Sequence, residues 1–570
     1  MKILIDSHIS VENSWYNEFY KELKKRVNLT TFGPNKNADI CVSKGTSLQD
    51  ILKLFSPQSP DLIVTIYPEH NLFPYDIINA PCPTLAMISD WNWYYYGTIT
   101  AAKSYDIVLS DKNLVAILNK IDIFNIYPWN MAYMPDYIHK IKTKKIYDIT
   151  FIGSINKGTH FKRDKLLEKI LFWFEDSHKV NIKEGVYGED YVKALNQSRI
   201  VFNYSARSDI GSRVFETMGC GSLSLYESDN TCIKDFFKDR EDLVLYNEDN
   251  LKDIITYYLD NEEERELIAQ NGYEIVHKYH RAENCVNRFM ELLEKIQWKE
   301  QYGKRLIHNP SKSYYHSFAC HCLEKNYPLV DAVKNNLNEN SLSWQFALGK
   351  FIQVIRTTDQ PTATNLAKES FTHLQKYLTF NPNSNMGRYL SGIFYLLAGE
   401  LLYSQQILEN LISDLKNGSD SNDEEIMLFA PIKPYGNIMQ VISLATDFYS
   451  SIENISDIKR KNLLWITLQQ LAVCYEEKQQ WYKAIELYME SIKVKEDSTI
   501  YYKIGDIYEK LNNIPYAVEY YIKCYKMGEP FNVKVRYKLL YLLNIVETDY
   551  NIDITTIQKE IQILESVVKD

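Results

Sequence analysis

Along the first 140 residues, short runs of consecutive apolar residues alternate with stretches in which apolar positions recur every three or four. Lys2–Ile5, Asp39–Val42, Leu62–Ile66, Thr84–Ile88 and Asp106–Leu109 read as buried strands. Helical periodicity falls between them near 14–26, 48–56 and 112–120. Strands that alternate with helices predict a parallel sheet with crossover helices. The pattern restarts after a connector, Tyr127–Lys145, which carries Pro128 and Pro135. Strands are then expected at Asp148–Ile152, Asn181–Val186, Ile200–Tyr204, Ser222–Tyr226 and Asp242–Tyr246, with helices near 161–178, 189–197, 211–219, 249–260 and 262–278. Two such α/β halves in tandem leave a cleft at the carboxyl ends of their strands, where open α/β sheets bind ligands.

Beyond residue 300 strand signals stop and helical patterns take over. Ala472, Tyr475, Ala484, Tyr488 and Ser491 recur 33 positions later as Gly505, Tyr508, Ala517, Tyr521 and Cys524. Gly392, Tyr395, Ser404 and Leu408 keep the same internal spacing. Small residues at two fixed points let paired helices cross closely, and aromatic residues fill the gaps. The spacing resembles the tetratricopeptide repeat, best over 389–411, 468–494 and 501–527, with Leu348-Gly349 opening a poorer copy. The expected organisation is an α/β domain at 1–140, a second at 141–299 and an all-α repeat domain at 300–570.

The chemistry concentrates in the second half. Ser212-Arg213-Val214-Phe215-Glu216 follows a buried strand, so Arg213 and Glu216 share one face of a helix that starts behind it. Such a helix start is an anion site. Arginine there can hold a phosphate through a forked pair of charge-assisted bonds, and a carboxylate one turn deeper can accept from ribose hydroxyls. Gly153-Ser154, after the first strand of this half, lets backbone amides approach the same anion. Lys157 and Arg163 add positive charge nearby. Tyr187-Gly188 falls at a strand end, where a base would lie, and Asn203, Ser205 and Arg207 form a polar run leaving another strand. Together these residues suit a nucleoside diphosphate.

Composition narrows the partners. Apolar residues make up 45% of the chain and the formal charge is −10 without a long basic run, which argues against nucleic acid. Nine cysteines lie scattered, with no Cys-x-x-Cys pair, as expected in a reducing, cytoplasmic compartment. Met1-Lys2-Ile3-Leu4-Ile5-Asp6 reads as a first strand rather than a signal peptide, and no apolar run is long enough to span a membrane. The 44 tyrosines, with abundant Asn, Lys and Ile, point to an AT-rich, bacterial genome. Cys320-His321-Cys322 does not read as a metal site, because adjacent helical positions point in different directions.

Tyr147-Asp148-Ile149-Thr150-Phe151-Ile152-Gly153-Ser154, Arg163, Val186-Tyr187-Gly188, Ser198-Arg199-Ile200-Val201-Phe202-Asn203, Arg213-Val214-Phe215-Glu216 with Gly219 and Gly221, and Asn271-Gly272 before Tyr279-His280-Arg281 occur in a telling order. In order and spacing, residues 147–296 resemble the carboxyl-terminal half of the CgeB-like, spore-maturation type group-1 glycosyltransferases. The resemblance implies a GT-B architecture of two Rossmann-like domains. The donor, a nucleotide-diphosphate sugar such as a UDP-sugar, would be held mainly by the second domain and the acceptor approached from the first. It implies no permanently bound cofactor and no catalytic metal, and the sequence holds no Asp-x-Asp pair. Related retaining enzymes often carry two glutamates separated by seven residues. Glu216 would be the second, but Ser208 stands at the first, so the ribose contact carries over and the sugar contact does not.

An inverting transferase needs a base for the acceptor hydroxyl. His8, Glu69, His70 and Asp90 follow strands of the first half, and Asp90 lies among Trp91, Asn92 and Trp93. If configuration is retained, the donor phosphate itself can assist. Repeat arrays present grooves for extended peptides, so a protein or peptide acceptor is expected, with homo-oligomerisation as the other use of the repeats. Two further functions stay open: a non-catalytic adaptor with a nucleotide-binding module, and an isomerase acting on the sugar nucleotide.

Overall fold

The computed structural model describes residues 1–7, 15–43, 45–57, 59–69, 74–89, 91, 95–119, 123–155, 161–205, 210–307, 319, 329, 334–335, 337–356, 359–418, 455–527, 533–545 and 554–568. The first half contains β1 (Lys2–Asp6), α1 (Trp15–Lys24), β2 (Asn28–Gly33), β3 (Ile40–Cys41), α2 (Leu48–Phe55), β4 (Leu62–Ile66), β5 (Thr84–Met87), α3 (Tyr95–Ser104), β6 (Ile107–Ser110), α4 (Lys112–Asn119) and β7 (Ile126–Pro128). Its seven strands lie in the order β3-β2-β1-β4-β5-β6-β7, and each pairing is parallel. Every residue of β4, β5 and β6 is buried, as strands covered on both faces must be.

Three elements of this half carry no clear apolar signature. β2 has Thr30 and Thr31 at its centre, yet it lies inside the sheet between β1 and β3. The Asp39 carboxylate fixes it, accepting from the Thr31 amide and hydroxyl at 2.8 Å each. β7 is three residues long and ends on Pro128, which suits an edge. α3 shows no one-sided apolar period.

The second half contains β8 (Tyr147–Ile152), α5 (Phe161–Phe174), β9 (Val180–Lys183), α6 (Gly188–Asn196), β10 (Ser198–Phe202), α7 (Ser212–Gly219), β11 (Leu223–Glu227), β12 (Val244–Tyr246), α8 (Leu251–Asp260), α9 (Glu262–Tyr279) and α10 (Ala282–Lys295). Its sheet runs β12-β11-β10-β8-β9, again all parallel. The chain then returns to the first half. Cys285, Val286, Phe289 and Leu293 of α10 pack with Phe19 and Leu23 of α1, and the Phe19 and Phe289 rings meet edge-on at 5.8 Å. The outgoing and returning crossings touch: Met134 pairs with Arg281, its amide bonded to the His280 carbonyl at 2.7 Å. Asp136 binds Arg281, and the Glu18 carboxylate of α1 accepts the Asp136 amide at 2.8 Å. Burial pushes the Glu18 carboxyl up to about 7.

This α/β body comprises residues 1–91, 104–305 and 555–570, and it closes on a buried ion pair. Arg305 is 1% exposed; it binds the Asp106 carboxylate and the carbonyls of Ile78 and Ala80.

A second body comprises residues 92–103 and 306–554. Its helices pair in sequence: Asn385–Leu397 with Leu401–Lys416, Ile455–Glu477 with Trp481–Val494, and Ser498–Lys510 with Ile514–Met527. The small repeat positions are the crossing points. A Cβ added to Gly392 would lie 2.5 Å from Leu408, and one on Gly505 would lie 2.8 Å from the Tyr521 ring. Ala472 and Ala484 are fully buried. Gly399, Gln479 and Asn512 each end the first helix of a pair in the left-handed region, at φ 78°, 57° and 56°. Among the described residues, no helix is long and apolar enough to cross a membrane. Cys320, His321 and Cys322 lie outside the described residues.

Candidate functional site

In the second sheet β9 and β10 flank β8 on opposite sides, which makes the end of β8 the switch point where open α/β sheets bind ligands. A cavity of about 1580 Å³ opens there. Gly153 and Ser154 line it from the end of β8, Tyr187 and Gly188 from the start of α6, and Arg213 and Glu216 from α7. Six residues read from the sequence as one site therefore line one cavity.

Two guanidiniums approach the end of β8, beside a lining that also carries Lys142, Lys193, Asp136, Glu184 and Glu189. The Arg213 guanidinium lies 4.7 Å from the centroid of the Phe151 ring, and that of Arg163 lies 5.2 Å from the same ring. A side chain at position 153 would collide with the Arg213 guanidinium, so glycine is what admits the arginine. Arg163 is only 4% exposed and binds the Ser154 carbonyl and Asp164. Burial brings its guanidinium down to about 10; Asp164 opposes that drop and Arg213 adds to it. Arg213 has no hydrogen bond or ion pair with any described residue. Its helix also starts without a side-chain cap, since Gly211 has none to offer. First-turn amides and an unpaired guanidinium thus face one space, an arrangement that attracts an anion.

Glu216 sits one turn deeper and is 6% exposed. Its two oxygens accept from the Tyr137 hydroxyl at 3.4 Å and the Tyr191 hydroxyl at 2.5 Å. Burial first, and then the Glu216 charge, hold both phenols above their ordinary range. Both tyrosines line the cavity, as do His139, Ile141, Lys142 and Thr143 of the linker. Sequence reasoning missed them. The linker has no period from which its side chains could be placed. Tyr191 did leave a signal, because it lies three residues after Gly188 and so shares a helix face with it.

The remaining candidates are distributed differently. Tyr187 lines the cavity but is 81% exposed. Asn203 and Ser205 do not line it; they belong to a buried polar network one strand away. Asn203 donates to the Ser224 hydroxyl at 3.0 Å. Ser205 donates its amide to Glu227 at 2.9 Å, its hydroxyl binds the same carboxylate, and Asn230 donates to the Ser205 oxygen at 2.9 Å. Burial pushes the Glu227 carboxyl up to about 7, and these hydrogen bonds hold it back only in part. Glu69 is fully buried beyond β4 and accepts the Ser89 amide at 3.0 Å. His8, His70, Asp90, Lys157, Arg207 and Ser208 lie outside the described residues. Among the described residues, no cluster of His, Cys, Asp and Glu could hold a metal ion.

Residues 136–291 match a protein-family model described as glycosyl transferase-like. The segment opens beside Tyr137, closes within α10 and contains the whole lining of the cavity. No curated protein matches the chain. Solved structures align with it at low identity. TarM does so at 16% identity over 40% of this chain and 54% of that one, with a TM-score of 0.34. Sucrose-phosphate synthase from Thermosynechococcus elongatus aligns at 10% identity over 52% and 99%, TM-score 0.41. Alr3699/HepE from Anabaena, in complex with UDP-glucose, aligns at 12% identity over 52% and 100%, TM-score 0.40. The chain spans about half the length of TarM.

Gly153→Ala should displace the Arg213 guanidinium and weaken nucleoside diphosphate binding about ten-fold or more, the worth of one charge-assisted bond; calorimetric titration measures this. Glu227 gives a pH prediction. Its raised carboxyl favours the folded protein below the unfolded value of 4.5, and that contribution is lost as pH rises through about 7. Glu227→Gln should therefore flatten the fall in stability between pH 5 and 8 by up to about 3 kcal/mol, read from urea unfolding at both pH values.

Proposed function

We propose that the chain is a GT-B-type glycosyltransferase that moves a sugar from a nucleotide-diphosphate donor, a UDP-sugar by preference, to an acceptor hydroxyl. The observation that carries this reading is the unpaired Arg213 guanidinium, seated on Gly153 one turn from Glu216, inside a segment that matches a glycosyl transferase-like family. The acceptor oxygen would attack the anomeric carbon, the bond from that carbon to the diphosphate oxygen would break, and the diphosphate would leave with the bonding pair. Arg213, the α7 amides and the backbone at Gly153 and Ser154 would stabilise the charge that builds there, often the largest catalytic contribution. Glu216, oriented by Tyr137 and Tyr191, would accept from the ribose hydroxyls. Catalysis would use protein groups rather than a bound metal. Under inversion, Glu69, Asp90 or His8 would take the acceptor proton.

The paired helices of the second body support a tetratricopeptide-like reading, and with it a protein or peptide acceptor held along the array.

A donor screen tests the first reading. Full-length protein is incubated with UDP, GDP, dTDP and CDP sugars, and released nucleoside diphosphate is measured. Release from one donor is expected, with a loss of about 100-fold or more in Arg213→Ala and Glu216→Ala. Equal release by both variants would exclude this site. Replacing the exposed repeat tyrosines Tyr403, Tyr482 and Tyr516 together by Ala should spare donor hydrolysis and lose transfer to the protein acceptor; retained transfer would remove the repeats from acceptor binding.

A further inference from the structure

A second cavity, of about 130 Å³, lies between the end of the first sheet and the start of α7. Ile66, Met87 and Leu109 reach it from the ends of β4, β5 and β6, Ala132 from the linker, and Ile210 from the approach to α7. These five side chains are no more than 4% exposed. These residues make an apolar side of the wall, contributed by both α/β halves, and Ser89, Asp111, Asn130 and Ser212 make a polar side. Ser212 lines this cavity and the larger one, so the two adjoin at the first residue of α7, next to Arg213.

Gly211 borders the same cavity and is exposed. Its φ of −65° suits any residue, so the backbone tolerates a side chain there. A Cβ built on it meets no described atom within 4 Å, so a larger residue can be placed at this rim.

Size and polarity restrict the occupant. An apolar cavity of about 150 Å³ takes one benzene ring. A space of 130 Å³ is too small for a hexose with all its hydroxyls. It suits a short acyl group. Reach agrees, because the anomeric carbon is one bond from the diphosphate oxygen that Arg213 would hold, and the substituent on the next carbon follows directly. We propose that this cavity receives the acyl group of a donor sugar that carries an acylated amine beside its anomeric carbon, a 2-acylamido sugar. The amide's own polar atoms would have Ser89, Asn130 and Ser212 in the same lining. This inference depends on the larger cavity being the nucleotide-sugar site.

The test is calorimetric titration of the full-length protein with UDP, UDP-glucose, UDP-N-acetylglucosamine, UDP-galactose and UDP-N-acetylgalactosamine. In at least one pair the acetamido donor should bind about ten-fold or more tightly than its hydroxyl counterpart, the range that a filled apolar pocket supplies. Gly211→Leu, which has space for its side chain, should remove that advantage while its melting temperature shows it folded. Ala132→Leu, from the facing wall, should do the same. Equal affinities within both pairs would overturn the proposal. So would a preference that persists in both variants. Failure of UDP itself to bind the unaltered protein would bring down the reading of the larger cavity, and this one with it; that outcome differs from UDP binding without acyl discrimination.

Discussion

The site depends on the close approach of one side chain to a backbone that has none. Arg213 reaches the Phe151 ring only across Gly153, and its guanidinium arrives there without a counter-charge among the described residues. A half-buried cation held that way is well placed to bind an anion. Much of the surrounding architecture serves this arrangement. Parallel strands bring the ends of β8 and β10 side by side, and the uncapped start of α7 aims its amides into the same space. Arg163 is tied to Ser154 and Asp164, whereas Arg213 has no such tie among the described residues. Glu216 supplies the only buried carboxylate among the described residues of α7, one turn away.

Where chemistry and fold were legible in the sequence, a local rule sufficed. The i, i+3 spacing of Arg213 and Glu216 and the glycine after β8 needed only their position relative to strands. Uninterrupted apolar runs marked β4, β5 and β6, because those strands are covered on both faces. The 33-residue recurrence marked the helix crossings at Gly505 and Ala472. β2 stayed hidden because its threonines are held by Asp39, a contact that apolar patterning does not record. Tyr137 could not be assigned because it comes from an aperiodic linker, and its role appears only when the returning chain fixes that linker at Met134. Asn203 and Ser205 were read as ligand groups because they leave a strand end. In the structure Ser205 bonds Glu227, whose buried carboxylate needs donors, and Asn203 bonds Ser224. Polarity at a strand end marks a need for partners, and the partner can be the protein itself.

The two bodies solve the problem of specification in different ways. The α/β body relies on non-local closure: Arg305 locks on Asp106, and α10 returns to α1 from beyond the whole second half. The helical body relies on neighbours, with the same crossing repeated between adjacent helices. Left-handed ends of the first helices in its pairs accept Gly399, Gln479 and Asn512 alike, so position in the repeat matters there more than residue type.

Met134 and Arg281 lie side by side, so the second α/β half enters and leaves through a single gate. Topologically it is an insertion into the first half, with both ends at one point. A segment of that kind can be exchanged whole without re-threading its host, because the first sheet and α10 keep their shared core whatever lies between the crossings. Whatever the second half binds is then inheritable as a cassette, independent of the surfaces of its host.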